Sequence, residues 1–168
     1  MAGKIVFIIG VAGCGKSTVA RALALKHGGV FLEGDEYQPP ENVAAMAAGI
    51  ALTDEMRWGW MQDLSAAAKQ HSDAGSDVLV ACSGLKRIYR DFLRGNVGVC
   101  RFVYLDGSYE LIRERMARRK GHYMPLSLLE SQFETLEPPT PAETDVSRLG
   151  IDGTIDQVID GAFRLALL

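Results

Sequence analysis

Residues 10 to 17, Gly-Val-Ala-Gly-Cys-Gly-Lys-Ser, place three glycines, one lysine and one hydroxyl at the spacing G-x-x-x-x-G-K-S. Glycines at Gly10, Gly13 and Gly15 let a backbone turn tightly and aim successive N–H groups at one point. Lys16 adds a positive charge for the outer phosphates of a nucleotide, and the Ser17 hydroxyl is a ligand for Mg²⁺. The apolar run Lys4–Ile9 before the motif reads as a strand, and the run Lys16–His27 reads as a helix. Strand, loop and helix in that order make a phosphate cradle. Its expected contacts are Gly10, Ala12, Gly13, Cys14, Gly15, Lys16, Ser17 and Thr18. Cys14 is small enough for such a loop, with a redox role as the alternative for its thiol.

The carboxylates that could act on a bound phosphate sit in two places. "FLEGDEY" (Phe31–Tyr37) supplies Glu33 and Asp35 at the expected end of the second strand. Two residues apart, their side chains project to one side, so both could face the phosphate. Glu33 with Ser17 could then hold a Mg²⁺-bound water while Asp35 accepts the proton of an attacking hydroxyl. Capping of the following loop is the alternative. "FVYLDG" supplies Asp106, the position a motor-type ATPase would use for its metal, although turn chemistry with Gly107 explains it better. A GTPase is excluded because the chain has no N-K-x-D stretch to read guanine.

Positive charge gathers at two helices. In "RERMARRK", Arg115 and Arg119 share a helical sector with Leu111, Ile112 and Met116, while Arg113 and Lys120 point away. A guanidinium on that side needs an anion, either the transferring phosphate or a core carboxylate. In "CSGLKRIYRD", Lys86, Arg87 and Arg90 stand in the first turns of a helix, where cations disfavour the helix and suit a bound anion. An acceptor substrate is one such anion. Nucleic acid is another, but aromatic interleaving and a domain-wide basic balance are missing.

The elements that must hold these groups alternate along the chain. Strands are expected at Lys4–Ile9, Gly29–Leu32, Asp77–Ala81, Cys100–Leu105 and Val146–Ile151, and helices at Lys16–His27, Asp54–Ser72, Leu85–Arg94, Ser108–Arg119 and Thr154–Leu167. That alternation predicts an α/β protein with a five-stranded parallel sheet flanked by helices. Leu85, Ile88, Tyr89, Phe92 and Leu93 predict the stripe that faces the sheet. All six prolines fall in two segments, which places a 36–75 insertion and a 120–141 lid outside the core of a single 1–168 domain. Two such excursions beside one nucleotide suggest parts that close over two substrates. With 168 residues, a net charge of −3 and 48% apolar residues, the chain reads as an ordinary soluble globule without affinity for nucleic acid or membrane. The five-residue apolar run near the N-terminus is too short for a signal or span, so a cytoplasmic location is expected. Three cysteines without C-x-x-C spacing predict reduced thiols.

Taken together, "GVAGCGKST", "FLEGDEYQPPEN", "MAAGIALTDEMRWGWM", "CSGLKRIYRD" and "RRKGHYMPLSLLESQFETLEPP" resemble, in the same order, the gluconokinase family of P-loop kinases. The phosphate loop is widely shared, whereas C-S-x-L-K-R-x-Y-R-D and G-H-[YF]…S-Q-F-x-T-L-E-x-P are far more specific. The resemblance covers residues 4 to about 145. It implies ATP-dependent phosphorylation of the 6-hydroxyl of D-gluconate, Mg²⁺, a three-layer core like that of nucleoside monophosphate kinases, and a homodimer. Carried over by position, it implies Lys16 and Ser17 for ATP and Mg²⁺, and Asp35 facing the acceptor. It further implies Gln38, Arg57, Lys86 and Arg90 around the sugar acid, with Arg115, Arg119 and His122 at the lid end. Three positions depart from the family pattern. Gln38 stands where histidine is usual, Met56 where aspartate is common, and Glu33 where a shorter aspartate is found. A kinase for another aldonate, polyol acid or nucleoside monophosphate, and an ATPase switch, are the competing readings.

Overall fold

The structure, a computed structural model, describes residues 1–119 and 125–166. Five parallel strands form one sheet in the order β2-β3-β1-β4-β5. They are β1 (Ile5–Ile9), β2 (Val30–Glu33), β3 (Val78–Ala81), β4 (Arg101–Asp106) and β5 (Val146–Gly150). All residues of β1 and β3 are buried, as expected of unbroken apolar strands covered on both faces. Phe7 pairs with Val80 on one side and Phe102 on the other, and the two phenylalanine rings stack at 5.1 Å. Helices α1 (Lys16–His27) and α7 (Ile155–Ala166) pack together against the sheet, while α3 (Asp54–Asp73) and α4 (Arg87–Val97) form another packed pair. The expected three-layer α/β architecture is present.

Three expectations change. The 36–75 stretch holds α2 (Pro40–Ala47), with its proline in the first turn, and then α3. Trp60, Met61, Leu64 and Ala68 of α3 belong to the main core, so only the first part of this segment is an excursion. The proline-rich stretch before β5 contains α6 (Leu126–Thr135), entered through Pro125, whose fixed φ suits the position just before a helix. Finally, α4 begins two residues later than expected and buries Tyr89, Arg90, Leu93 and Val97, leaving Ile88 on the surface. An arginine occupies the helix's buried stripe, which a hydropathy pattern cannot show.

Helix α5 (Tyr109–Ala117) packs against α6 at the carboxyl end of the sheet. A side chain at Gly13 would meet Met116 Cγ at 2.7 Å, and the loop there has φ +78°, so glycine is required on both counts. Helix α5 therefore lies directly on the phosphate loop.

Candidate active site

The loop between β1 and α1 follows a buried strand into a helix whose N-cap is Gly15, at φ 97°, without a side-chain cap or an acidic residue in the first turn. By contrast, α3 is capped by Thr53 and α5 by Ser108. Among the described residues the first-turn N–H groups of α1 thus have no capping side-chain oxygen, which is what a phosphate needs. Lys16 Nζ donates to Val11 O at 2.9 Å and lies at the wall of a cavity of about 830 Å³. Ala12, Gly13, Gly15, Ser17 and Thr18 line the same cavity, whereas Gly10 and Cys14 sit behind it. A side chain at Gly10 would press on Cys14 Sγ at 2.7 Å and Leu105 O at 2.9 Å, so Gly10 makes room for the loop. Burial pushes the Cys14 thiol up, against the pull of Lys16, so no reactive thiolate forms there.

Glu33 closes β2, and its carboxylate accepts a hydrogen bond from the Ser17 hydroxyl. Among the described residues no cluster of three His, Cys, Asp or Glu could hold a metal alone. The Ser17–Glu33 pair of oxygen donors instead fits Mg²⁺, which takes few protein ligands and completes its shell with phosphate and water. The next residue, Gly34, passes so close to β3 that a Cβ would meet Ala81 O at 2.4 Å. Its carbonyl accepts from Trp60 Nε1 at 2.7 Å, which ties the end of β2 to α3. This anchored turn delivers Asp35, solvent-exposed, to the cavity. Asp106 lies elsewhere: its carboxylate is taken by Arg148 Nε at 2.8 Å and it lines no part of the site.

The arginines and lysine divide sharply. Arg57 is only 7% exposed yet lines the cavity. Its guanidinium lies 4.8 Å from the Tyr89 ring centre and makes one long hydrogen bond, to Leu52 O at 3.4 Å. Its Nε is buried and has no hydrogen-bond partner among the described residues. Burial pulls its pKa below the ordinary arginine value, only partly opposed by Tyr89 and Asp54. Arg119 also lines the cavity, just beyond the end of α5.

Besides Gly10 and Cys14, three expected site residues are not brought to the cavity. Arg90, 1% exposed, gives Nε and Nη2 to Glu143 at 2.8 Å each, Nη1 to Gly84 O at 2.8 Å and Leu85 O at 3.3 Å, and Nη2 also to Glu137 O at 3.1 Å, so no donor is left for a sugar acid. Lys86 pairs with Asp54 at 3.2 Å. Arg115 donates to the carbonyls of Ile151 and Gly153, and among the described residues no carboxylate pairs with it. His122 lies outside the described residues.

Gln38 lines the cavity on the acceptor side. Its Oε1 accepts from Asn42 Nδ2 at 2.9 Å, and the same Asn42 amide donates to Met56 O at 2.7 Å. Asn42, 2% exposed, was not singled out from the sequence. It joins two of the three positions that depart from the family pattern, Gln38 and Met56, into one unit. With its oxygen accepting from Asn42, the Gln38 amide keeps its NH₂ group for donation.

Comparison with known proteins agrees with this geometry. A family described as "AAA domain" matches residues 6–126. A gluconokinase of Gluconobacter oxydans (strain 621H) is 43% identical over 96% of this chain and 90% of its own. The thermosensitive gluconokinase of Escherichia coli (strain K12) is 39% identical over 95% of this chain and 86% of its own. The chain belongs to the gluconokinase family. The solved structure of a gluconokinase from Sinorhizobium meliloti 1021 superposes with a TM-score of 0.86, at 41% identity, covering 99% of this chain and 92% of that one. Membership makes the chain a P-loop kinase that uses ATP, and the switch-type ATPase reading falls with Asp106 already committed to Arg148. In gluconokinase terms, the cavity has a donor half at the loop and an acceptor half at Asp35, Gln38 and Arg57.

Proposed function

We propose that the chain phosphorylates the 6-hydroxyl of D-gluconate with ATP and Mg²⁺, forming 6-phosphogluconate, as a cytoplasmic homodimer. The observation that carries the acceptor's class is Arg57, a buried cation weakly satisfied among the described residues, which lines the cavity that holds Lys16 and Asp35. A buried cation offset in part by an aromatic face and one long hydrogen bond is costly until an anion joins it, and a sugar acid's carboxylate does so. Gln38 and Asp35 then serve the hydroxyls, one as donor and one as acceptor. His122 remains the lid's expected contribution to the same substrate.

The transfer needs little covalent chemistry from the protein. Positioning and charge do the work. Lys16 leaves the Val11 carbonyl for the outer phosphates, and the first-turn N–H groups of α1 hold the chain of phosphates in place. Asp35 orients the primary hydroxyl and takes its proton as the oxygen attacks. Arg119 offers charge to the phosphoryl oxygens as the bond to the leaving nucleotide breaks. Mg²⁺, held through Ser17 and Glu33, would neutralise charge on the phosphates. The first part of the 36–75 segment and the part of the 120–141 lid ahead of α6 would close over both substrates and exclude water.

The test is ADP release under saturating ATP with gluconate, other aldonates, shikimate and AMP as acceptors. Gluconate should give the fastest turnover. ADP formation that ignores the acceptor, or is fastest with AMP, overturns the reading. Light scattering on the purified chain tests the dimer.

A further inference from the structure

The motif S-Q-F-E-T-L-E-P-P is one of the chain's most distinctive stretches, and the mechanism above leaves it without a task. In the structure it works as a set of anchors. Phe133 meets the edge of Tyr109 on α5 at 5.5 Å. The Glu137 carboxylate accepts from the Arg87 N–H at 2.9 Å, and its own N–H donates to Leu85 O at 2.8 Å, which ties the end of α6 to α4. Gln132 differs from these. Its Oε1 accepts the backbone N–H of Ala12, at 2.6 Å, inside the phosphate loop and 120 residues away in sequence.

Chemistry fixes which way that amide points. Ala12 N is a donor, so the carboxamide must offer its oxygen there, and its NH₂ group faces elsewhere. Among the described residues that NH₂ group has no hydrogen-bond partner, while the side chain lines the cavity shared by Lys16, Ser17 and Asp35. Ser131 and Thr135, on the same side of α6, line it too. A part-buried amide with a fixed oxygen and two free donors, at the lip of a phosphate loop, is prepared for an anionic oxygen.

We propose that Gln132 is a further catalytic residue. Its oxygen grips the loop at Ala12, and its NH₂ group donates to an oxygen of the phosphoryl group in transfer. One side chain thereby fixes α6 against the loop and supplies a neutral donor where negative charge spreads during the reaction. The inference rests on the kinase reading of this cavity.

Two variants separate the grip from the donor. Gln132→Glu keeps an oxygen for Ala12, loses the donor and sets a negative charge beside the phosphates. Gln132→Met keeps the length and loses both. Removing one such donor lowers turnover by about 100-fold or more, so both variants should fall at least that far while unfolding midpoints stay near the parent's. Gln132→Glu should also bind ATP more weakly relative to ADP, a preference a purely structural residue would not alter. Turnover of either folded variant within threefold of the parent, or an unchanged ATP-to-ADP preference in Gln132→Glu, overturns the proposal. The parent chain assayed beside them separates the two failures. A parent that phosphorylates no sugar acid sinks the kinase reading and this inference together, and an active parent matched by its variants sinks the inference alone.

Discussion

Arg90 is the residue on which the sequence and the structure disagree most usefully, and mutation decides between them. Both Arg90 and Glu143 are 1% exposed at the side chain, and two hydrogen bonds of 2.8 Å join them. Arg94 adds a third contact to Glu143 at 3.0 Å. Removing one member of such a pair leaves the other charge buried, which costs about 3–5 kcal/mol. For a chain of this size that is a fall in Tm of roughly 6–20 °C, at about 2–4 °C per kcal/mol. Arg90→Met and Glu143→Leu should each show this fall in thermal scans and in the urea midpoint, with the m-value kept. The double variant removes both charges and should recover most of the loss, because an apolar pair in place of a buried ion pair is near neutral or stabilising. The coupling between the two sites should therefore be several kcal/mol. For the folded enzyme, the KM for the acceptor should change by less than about threefold, since Arg90 has no donor to give. If Arg90→Met folds with parental stability while that KM climbs a hundredfold, Arg90 is a substrate ligand and the structural assignment is wrong.

Asp35→Asn should leave ATP affinity intact and lower kcat by about 10²–10⁴, the usual worth of a positioned base; turnover within twofold of the parent would remove Asp35 from that role. Arg57→Met should do two opposite things. It should raise the acceptor's KM by roughly 10–150-fold, the worth of a hydrogen bond to a charged group at about 1.5–3 kcal/mol, and it should also raise the Tm of the substrate-free chain by removing a buried cation whose desolvation Tyr89 and Asp54 offset only in part. Unchanged KM with lowered Tm would make Arg57 a scaffold residue. Burial alone would raise Glu143, but hydrogen bonds from Arg90 and Arg94 outweigh it and hold the carboxyl at about 2, against an ordinary 4.5. A carboxyl held down in the folded state stabilises fully above its unfolded value. The contribution, about 3 kcal/mol, is lost as pH falls from near 4.5 toward 2. Denaturant midpoints measured across that window should drop in the parent and drop less in Glu143→Leu.

Much of the donor half of the site could be read from the chain because its logic is local. The loop's glycines, Lys16 and Ser17 lie within eight residues, and the strand and helix on either side announce themselves by composition. Glu33 and Asp35 could be read for the same reason, as carboxylates at the end of a short strand. The acceptor half depends on contacts between distant segments. Asn42 reaches Gln38 and the carbonyl of Met56 from a helix that shows no polar pattern. Gln132 meets Ala12 across 120 residues. Neither pairing leaves a periodic trace, so each appears only when the fold brings the segments together. Helix α6 was hidden by the prolines around it, although Pro125 stands where a proline starts a helix rather than breaks one.

Arg57 and Arg90 bring the difficulty to a point. In the sequence both are arginines near a helix's first turns, with aromatic neighbours, and both match basic positions of the family. Both are buried in the fold, at 7% and 1% exposure. What separates them is satisfaction. The Arg90 guanidinium spends its donors on Glu143 and on the carbonyls of Gly84, Leu85 and Glu137. Among the described residues Arg57 spends one, at 3.4 Å, and its Nε has no partner. A saturated buried cation stabilises the fold and has nothing to offer a ligand. An unsaturated one costs stability until a ligand arrives, and a chain gains from keeping it only if an anion binds there. The same reasoning places Gln132 with Arg57, because its amide lines the cavity with one end committed to the loop and the other without a partner among the described residues. Counting unspent donors on buried polar side chains thus sorts binding groups from framework where residue type cannot.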